Sequence, residues 1–178
     1  MEFFAVYDNE EKDAAVCNVC QNYEGLLQII ADRSVVSTNV HVASGSVFYD
    51  LLVTNAFSFF LVSENIANKL REIKAKGLEL IDITVNYKNT TYQYFGLIPR
   101  GRSSSFDRTN IHEVVRIDKK GRKFIKKAGL RIDENGWDGS DVFIPDGSEA
   151  CIVTDRVADA IKSFTNIYLK PVDSILVT

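Results

Sequence analysis

Cys17-Asn18-Val19-Cys20 has the spacing of half a zinc site. Zinc needs four ligands, usually delivered as two pairs, and only Cys151, His41, His112 or a carboxylate could complete this one, so no metal site is expected. A redox role would place the pair between a strand and the start of a helix, and Asn22-Tyr23-Glu24-Gly25 does not continue as such a helix. Neither histidine lies in a nucleophile setting such as Gly-x-Ser-x-Gly, and His112 falls in an alternating run where a polar residue marks the solvent face. No phosphate-cradling glycine motif occurs. Arg100-Gly101-Arg102-Ser103-Ser104-Ser105 is cationic enough to hold an anion but lacks a following helix pattern, and reads as a surface loop running to Asn110. No catalytic residue and no cofactor is therefore expected, and the chain does not read as an enzyme. A small hydrolase or transferase site built from scattered residues stays open.

Binding chemistry is better supplied. Asp133, Glu134, Asp138, Asp141 and Asp146 crowd two glycine-containing turns, without the ligand spacing of a calcium loop. Trp137, the only tryptophan, is either a core plug under the first turn or an exposed anchor for a partner. Between them and the middle of the chain the charge reverses. Residues 1–70 carry three basic and nine acidic side chains, residues 71–131 fifteen and six, and residues 132–178 three and nine, for a total of −3. The basic segment is densest between Arg116 and Arg131, where Arg116, Lys119, Lys120, Arg122 and Lys123, with Lys126, Lys127 and Arg131, could meet phosphates or could belong to a solvated hairpin whose lysines protect its edge.

These groups need elements to hold them. Phe3 to Tyr7 reads as a strand, Leu26 to Ile30 as a strand or a helical turn, Val47 to Thr54 as a strand, and Ser58 to Val62 as a short extended segment. Ser63 can cap a helix whose stripe is Ile66, Leu70 and Ile73, with Gly77 as its C-terminal glycine. The period then becomes two: Ile81, Ile83, Val85 and Tyr87 share one face, and Tyr92 and Tyr94 continue in a partner strand that Pro99 closes. Ile111 to Ile117 and Lys123 to Lys126 flank a turn and predict a hairpin; Asp141 to Ile144 predicts another strand, followed by the turn Pro145-Asp146-Gly147.

One pattern recurs. A shift of 91 positions lays Leu61-Val62-Ser63-Glu64 on Ile152-Val153-Thr154-Asp155, and Ile66, Leu70 and Ile73 on Val157, Ile161 and Phe164. Ile81-Asp82 falls on Val172-Asp173 at the same offset. A duplicated strand, cap, helix and strand accounts for this, although hydroxyl caps and helical stripes are common parts.

With 46% hydrophobic and 25% charged residues the composition is that of a globular protein, expected as a single domain over residues 1–178 with a possible N-terminal subregion 1–46. Intrinsic disorder and a disulfide framework are excluded by composition and cysteine count. Runs such as Phe59-Phe60-Leu61-Val62 are far too short for a membrane helix, and residues 1–8 have no cationic signal-peptide start, so a cytoplasmic location is expected.

The segments Phe60-Leu61-Val62-Ser63-Glu64-Asn65-Ile66, Gly139-Ser140-Asp141-Val142-Phe143, Ala150-Cys151-Ile152-Val153-Thr154-Asp155-Arg156-Val157 and Leu169-Lys170-Pro171-Val172 resemble the bacterial immunity proteins of polymorphic toxin systems. They are most similar to a myxobacterial-type immunity domain family, formerly a domain of unknown function, over about the last two-thirds of the chain. A related group carries paired Cys-x-x-Cys-Gly motifs, from which this chain departs with one pair and Gln21. The fold expected from the residues is α+β, a mostly antiparallel sheet with hairpins and two main amphipathic helices. The resemblance implies a protein that binds and neutralises a cognate toxin domain, its gene adjacent to the toxin's. Asp133, Glu134, Trp137, Asp138, Asp141 and Asp146 are the favoured partner-binding residues. A nucleic-acid-binding module using residues 116–131 is the alternative.

Overall fold

Capping and alternation decide where the elements fall. The computed structural model describes residues 1–19, 39–56, 59–117 and 120–175; Cys20, Leu26 to Ile30, Ser58, Asp118 and Lys119 lie outside the described residues. In chain order the elements are β1 (Phe3–Tyr7), β2 (Val16–Asn18), β3 (Asn39–Ser44), β4 (Leu51–Thr54), β5 (Phe60–Val62), α1 (Glu64–Glu72), β6 (Leu78–Tyr87) and β7 (Thr90–Pro99). They continue with β8 (Gly101–Ser103), β9 (His112–Ile117), β10 (Lys123–Ala128), β11 (Val142–Pro145), β12 (Ile152–Thr154), α2 (Asp155–Ile161) and β13 (Tyr168–Pro171). The fold is α+β and its strand pairs are mostly antiparallel. β2, β3, β6, β7, β5 and β4 close a six-stranded barrel, β13, β1, β12, β11 and β8 form a five-stranded sheet, and β9 and β10 form a separate ribbon.

Both helices begin at a hydroxyl. Ser63 and Thr154 hold the same extended backbone, φ −63°, ψ 163° and φ −73°, ψ 162°, but only the Ser63 hydroxyl caps by accepting a helix N–H, from Ile66, while the Thr154 hydroxyl donates to Asp141. Ile66, Ala67 and Leu70 of α1 and Val157, Ala158 and Ile161 of α2 are buried in one central cluster, so the stripes that make each helix amphipathic are covered by each other and by the sheets. α1 ends earlier than Gly77: Ile73 is its last capping residue and Lys74 takes the left-handed turn at φ 50°. Gly77 has another role. At φ +77° its missing Cβ would stand 2.3 Å from Ser140 Cβ and 2.5 Å from the Val142 carbonyl oxygen, so glycine lets the chain after α1 lie against the start of β11.

The strand registers repeat as the helices do. Leu51 and Leu52 pair with Val62 and Leu61, and 91 positions on Val142 and Phe143 pair with Val153 and Ile152. Leu61 and Val62 pair with Gly96 and Phe95 of β7; Ile152 and Val153 pair with Ala5 and Phe4 of β1. β1 thus corresponds to the second half of β7. Yet β1, at the head of the first unit, pairs with β12 and β13 of the second, while β7, at the head of the second, pairs with β5 and β6 of the first. The two units have exchanged their leading strands. Alternation sorts the side chains accordingly: Leu51, Val62, Val142 and Val153 enter the central cluster, Leu52 and Leu61 fill the barrel, and Phe143 and Ile152 fill the far side of the five-stranded sheet.

Other boundaries move for physical reasons. The match of Ile81-Asp82 with Val172-Asp173 is out by two: Ile81 pairs with Gly96 where Lys170 pairs with Ala5, and Val172–Ser174 is a 3-10 turn. The path from cap to strand is two residues shorter in the second unit, a slip that preserves every facing because strands have period two. The strand expected from Val47 begins at Leu51, and Val47 only bridges to Ala14. The loop expected from Arg100 contains β8, paired in parallel with β11. Within residues 1–46, β1 lies in the five-stranded sheet and β2 and β3 lie in the barrel.

Candidate functional site

The thiols are placed where they can do little. Cys17 lies inside the barrel and Cys151 in the central cluster, and burial pushes both up to about 12, leaving negligible thiolate at neutral pH. His41 and His112 are exposed on β3 and β9; the His112 ring Nδ1 lies 3.1 Å from the Asn110 carbonyl oxygen. Among the described residues no three histidine, cysteine or carboxylate side chains are grouped to hold a metal ion. None of the helices there is long and apolar enough to cross a membrane.

The acidic turns are built largely from their own carboxylates. Asp133 Oδ1 accepts the Asn135 N–H at 3.0 Å and caps the 3-10 turn Glu134–Gly136. Asp138 accepts the Ser140 N–H at 2.9 Å and the Arg102 N–H at 2.8 Å, which fastens the turn to the outer edge of β8. Burial pushes its carboxyl up, but the hydrogen bonds from Ser140 and Arg102 outweigh it and hold the group below the ordinary carboxylate range. Trp137 is half-buried: its ring packs edge-on to Phe3 at 5.3 Å and against Phe143, and its Nε1 donates to the Ser140 carbonyl. Asp146 is exposed in the turn after β11, where its N–H donates to the Ser103 carbonyl.

Asp141 is withdrawn from the surface. It is 8% exposed and receives the Thr154 hydroxyl at 3.1 Å, the Lys76 N–H at 2.8 Å and both Nε and Nη2 of Arg156. Arg156 Nη1 donates in turn to the Ile73 carbonyl, so this cluster ties the end of α1 to the start of α2. Burial raises the Asp141 carboxyl, but the Arg156 hydrogen bond and charge, with Lys76 and Thr154, bring it below its ordinary range. Asp133 and Glu134 line a groove of about 770 Å³ together with Arg108 and Arg131, which mixes its charge. Of the six predicted residues, Asp141 is buried, Trp137 is half-buried, Asp133 and Glu134 share a groove with cations, Asp138 is engaged in its turn and Asp146 is exposed.

The basic hairpin is the surface that folding leaves uncovered. Val115 pairs with Ile125 and Ile117 with Lys123, which puts Val115, Ile117 and Ile125 on one side of the ribbon with Glu113 and Lys127 at its base. The other side carries Val114, Arg116, Phe124, Lys126 and Ala128, and there Val114, Lys126 and Ala128 turn toward the body. Val115, Ile117 and Ile125 are 63%, 63% and 62% exposed. Lys120 and Arg122 stand in the turn at the tip, and Lys123 edges the apolar side. The ribbon is rooted where the Gly129 N–H donates to the Asp173 carbonyl at 2.7 Å. Reading the strands as one alternating face missed this aliphatic trio. The signal was there in Val114-Val115 and Phe124-Ile125: apolar neighbours send one side chain to each face, and a two-stranded ribbon can pack only one face on the body. No protein-family model matches the chain, and a search of curated proteins finds no match.

Proposed function

We propose that this chain acts by binding another protein, and that the partner is the toxin domain implied by its resemblance to immunity proteins. The observation that carries the reading is the trio Val115, Ile117 and Ile125, three aliphatic side chains left in water on one face of a projecting ribbon and edged by lysines. An apolar centre inside a charged rim is the anatomy of a protein interface. The central cluster draws side chains from both units, which supports a chain acting as one domain. In this reading the protein works in the cytoplasm of the cell that makes the toxin.

Co-expression with the product of the adjacent gene tests it. Cells carrying both proteins should survive, and the two should co-purify. Loss of both effects with the wild-type chain sinks the immunity reading. A second reading, binding to nucleic acid, draws on the cations of the ribbon and on the fit of a two-stranded ribbon to a duplex major groove. It is weaker because the centre of the open face is Val115, Ile117 and Ile125, with Lys123 and Lys127 only at its ends and no aromatic ring on which a base could stack.

A further inference from the structure

We propose that the outward face of the β9–β10 ribbon is the docking surface, and that it takes an acidic patch with an aliphatic centre on the partner protein. This rests on the protein-binding reading above and reverses the preference for the acidic turns. Three observations converge on it. The face joins the cross-strand pair Val115 and Ile125 to Ile117, with Lys123 toward the tip and Lys127 at the base. Its aliphatic residues are more than 60% exposed, although the same chain buries Ile66, Leu70, Val157 and Ile161 of the helix stripes. A two-stranded ribbon is marginal by itself in water, so a surface laid against it contributes order as well as area.

Charge selects the occupant. Residues 112–128 contain seven lysines and arginines against two acids, a net of +5 in a chain of −3, so the remainder carries −8. A cationic partner would be drawn to the rest of the molecule, while an acidic one is steered to the ribbon. The face also argues for protein over the other polyanions. A lipid surface favours tryptophan and tyrosine at its boundary, and the outward face has neither; a duplex contact would put cations at the centre, where Val115 and Ile125 stand.

The test is titration calorimetry of the full chain against the purified product of the adjacent gene, with duplex DNA and phosphatidylserine vesicles as parallel probes. Val115→Ser combined with Ile125→Ser should weaken protein binding at least tenfold, the scale of central interface residues of about 1.4 kcal/mol or more. Lys123→Glu combined with Lys127→Glu should slow association and flatten its salt dependence, while Glu134→Lys with Asp146→Lys should leave affinity within about threefold. These residues are exposed, so the variants should melt with the wild type. As a readout independent of variants, backbone amides of residues 113–127 should gain protection from hydrogen exchange in the wild-type complex. If the wild type binds and the ribbon variants bind equally well, the docking surface is wrong while the protein-binding reading stands. If the wild type does not bind the protein, both fall. Binding to DNA or vesicles that the ribbon variants abolish, without an effect on the protein complex, overturns the choice of occupant.

Discussion

Asp50 and Asp141 stand 91 positions apart and make corresponding bonds. Each accepts the hydroxyl of the helix cap thirteen residues later, Ser63 to Asp50 at 2.7 Å and Thr154 to Asp141 at 3.1 Å. Each also accepts a backbone N–H from the segment after the other unit's helix, Thr165 for Asp50 at 3.0 Å and Lys76 for Asp141 at 2.8 Å. Each aspartate therefore holds its own helix by the cap and the other unit by the chain. The two sites differ in their other partners: Arg156 grips Asp141, where the equivalent sequence position in the first unit is Asn65, and Asp50 accepts the Thr165 hydroxyl at 2.8 Å.

That asymmetry predicts a pH dependence. Both carboxyls are held below their ordinary range in the folded protein: burial raises each, and hydrogen bonds led by Thr165 at Asp50 and by Arg156 at Asp141 more than offset it. Their contribution is present above the unfolded pKa of about 3.9 and is lost as pH falls through the lower folded value. Asp141→Asn should cost about 1.5–3 kcal/mol at pH 7, the range for hydrogen bonds to a charged group, with a smaller loss for Asp50→Asn. Denaturant titrations between pH 2 and 7 check this: the variant's stability should fall less steeply than the wild type's below pH 4.

The helix stripes predict a different kind of loss. Leu70 and Ile161 are buried in the central cluster, so Leu70→Ala and Ile161→Ala should each destabilise by about 2–5 kcal/mol. Urea unfolding followed by circular dichroism measures it, and losses below about 1 kcal/mol at both sites would contradict the packing of the two helices.

Gly77 allows a backbone test of how the units meet. Gly77→Ala forces a side chain into left-handed backbone and against Ser140 and Val142, and should cost at least about 2 kcal/mol. Gly121→Ala, with the same φ of +77° but nothing within 4 Å, should cost only the backbone part. Thermal melts of the two variants separate strain from collision.

The thiols predict inertness. In native protein Cys17 and Cys151 should resist alkylation for as long as the fold persists, and label readily in denaturant; peptide mass spectrometry assigns the sites. Protein purified without added metal should contain no stoichiometric zinc, and Cys17→Ser should leave its metal content unchanged.

Much of this protein was legible in its residues. The caps at Ser63 and Thr154, the stripes of Leu70 and Ile161, the β6–β7 pair, the basic hairpin and the 91-residue repeat all follow from periodicities that act within one element or between neighbours. Tertiary structure alone decided the strand exchange. Phe3 meets Thr154 across the whole chain, and nothing in a five-residue strand tells which of two similar units it will complete. It also decided that Asp141 turns inward: Thr154 and Arg156 come from the start of α2 and Lys76 from the chain after α1, segments that meet only where the units join, whereas the residue types of the turn mark it simply as acidic. The open face of the ribbon was decided the same way, because apolar residues on both sides of two strands leave the choice to whichever side the body can cover.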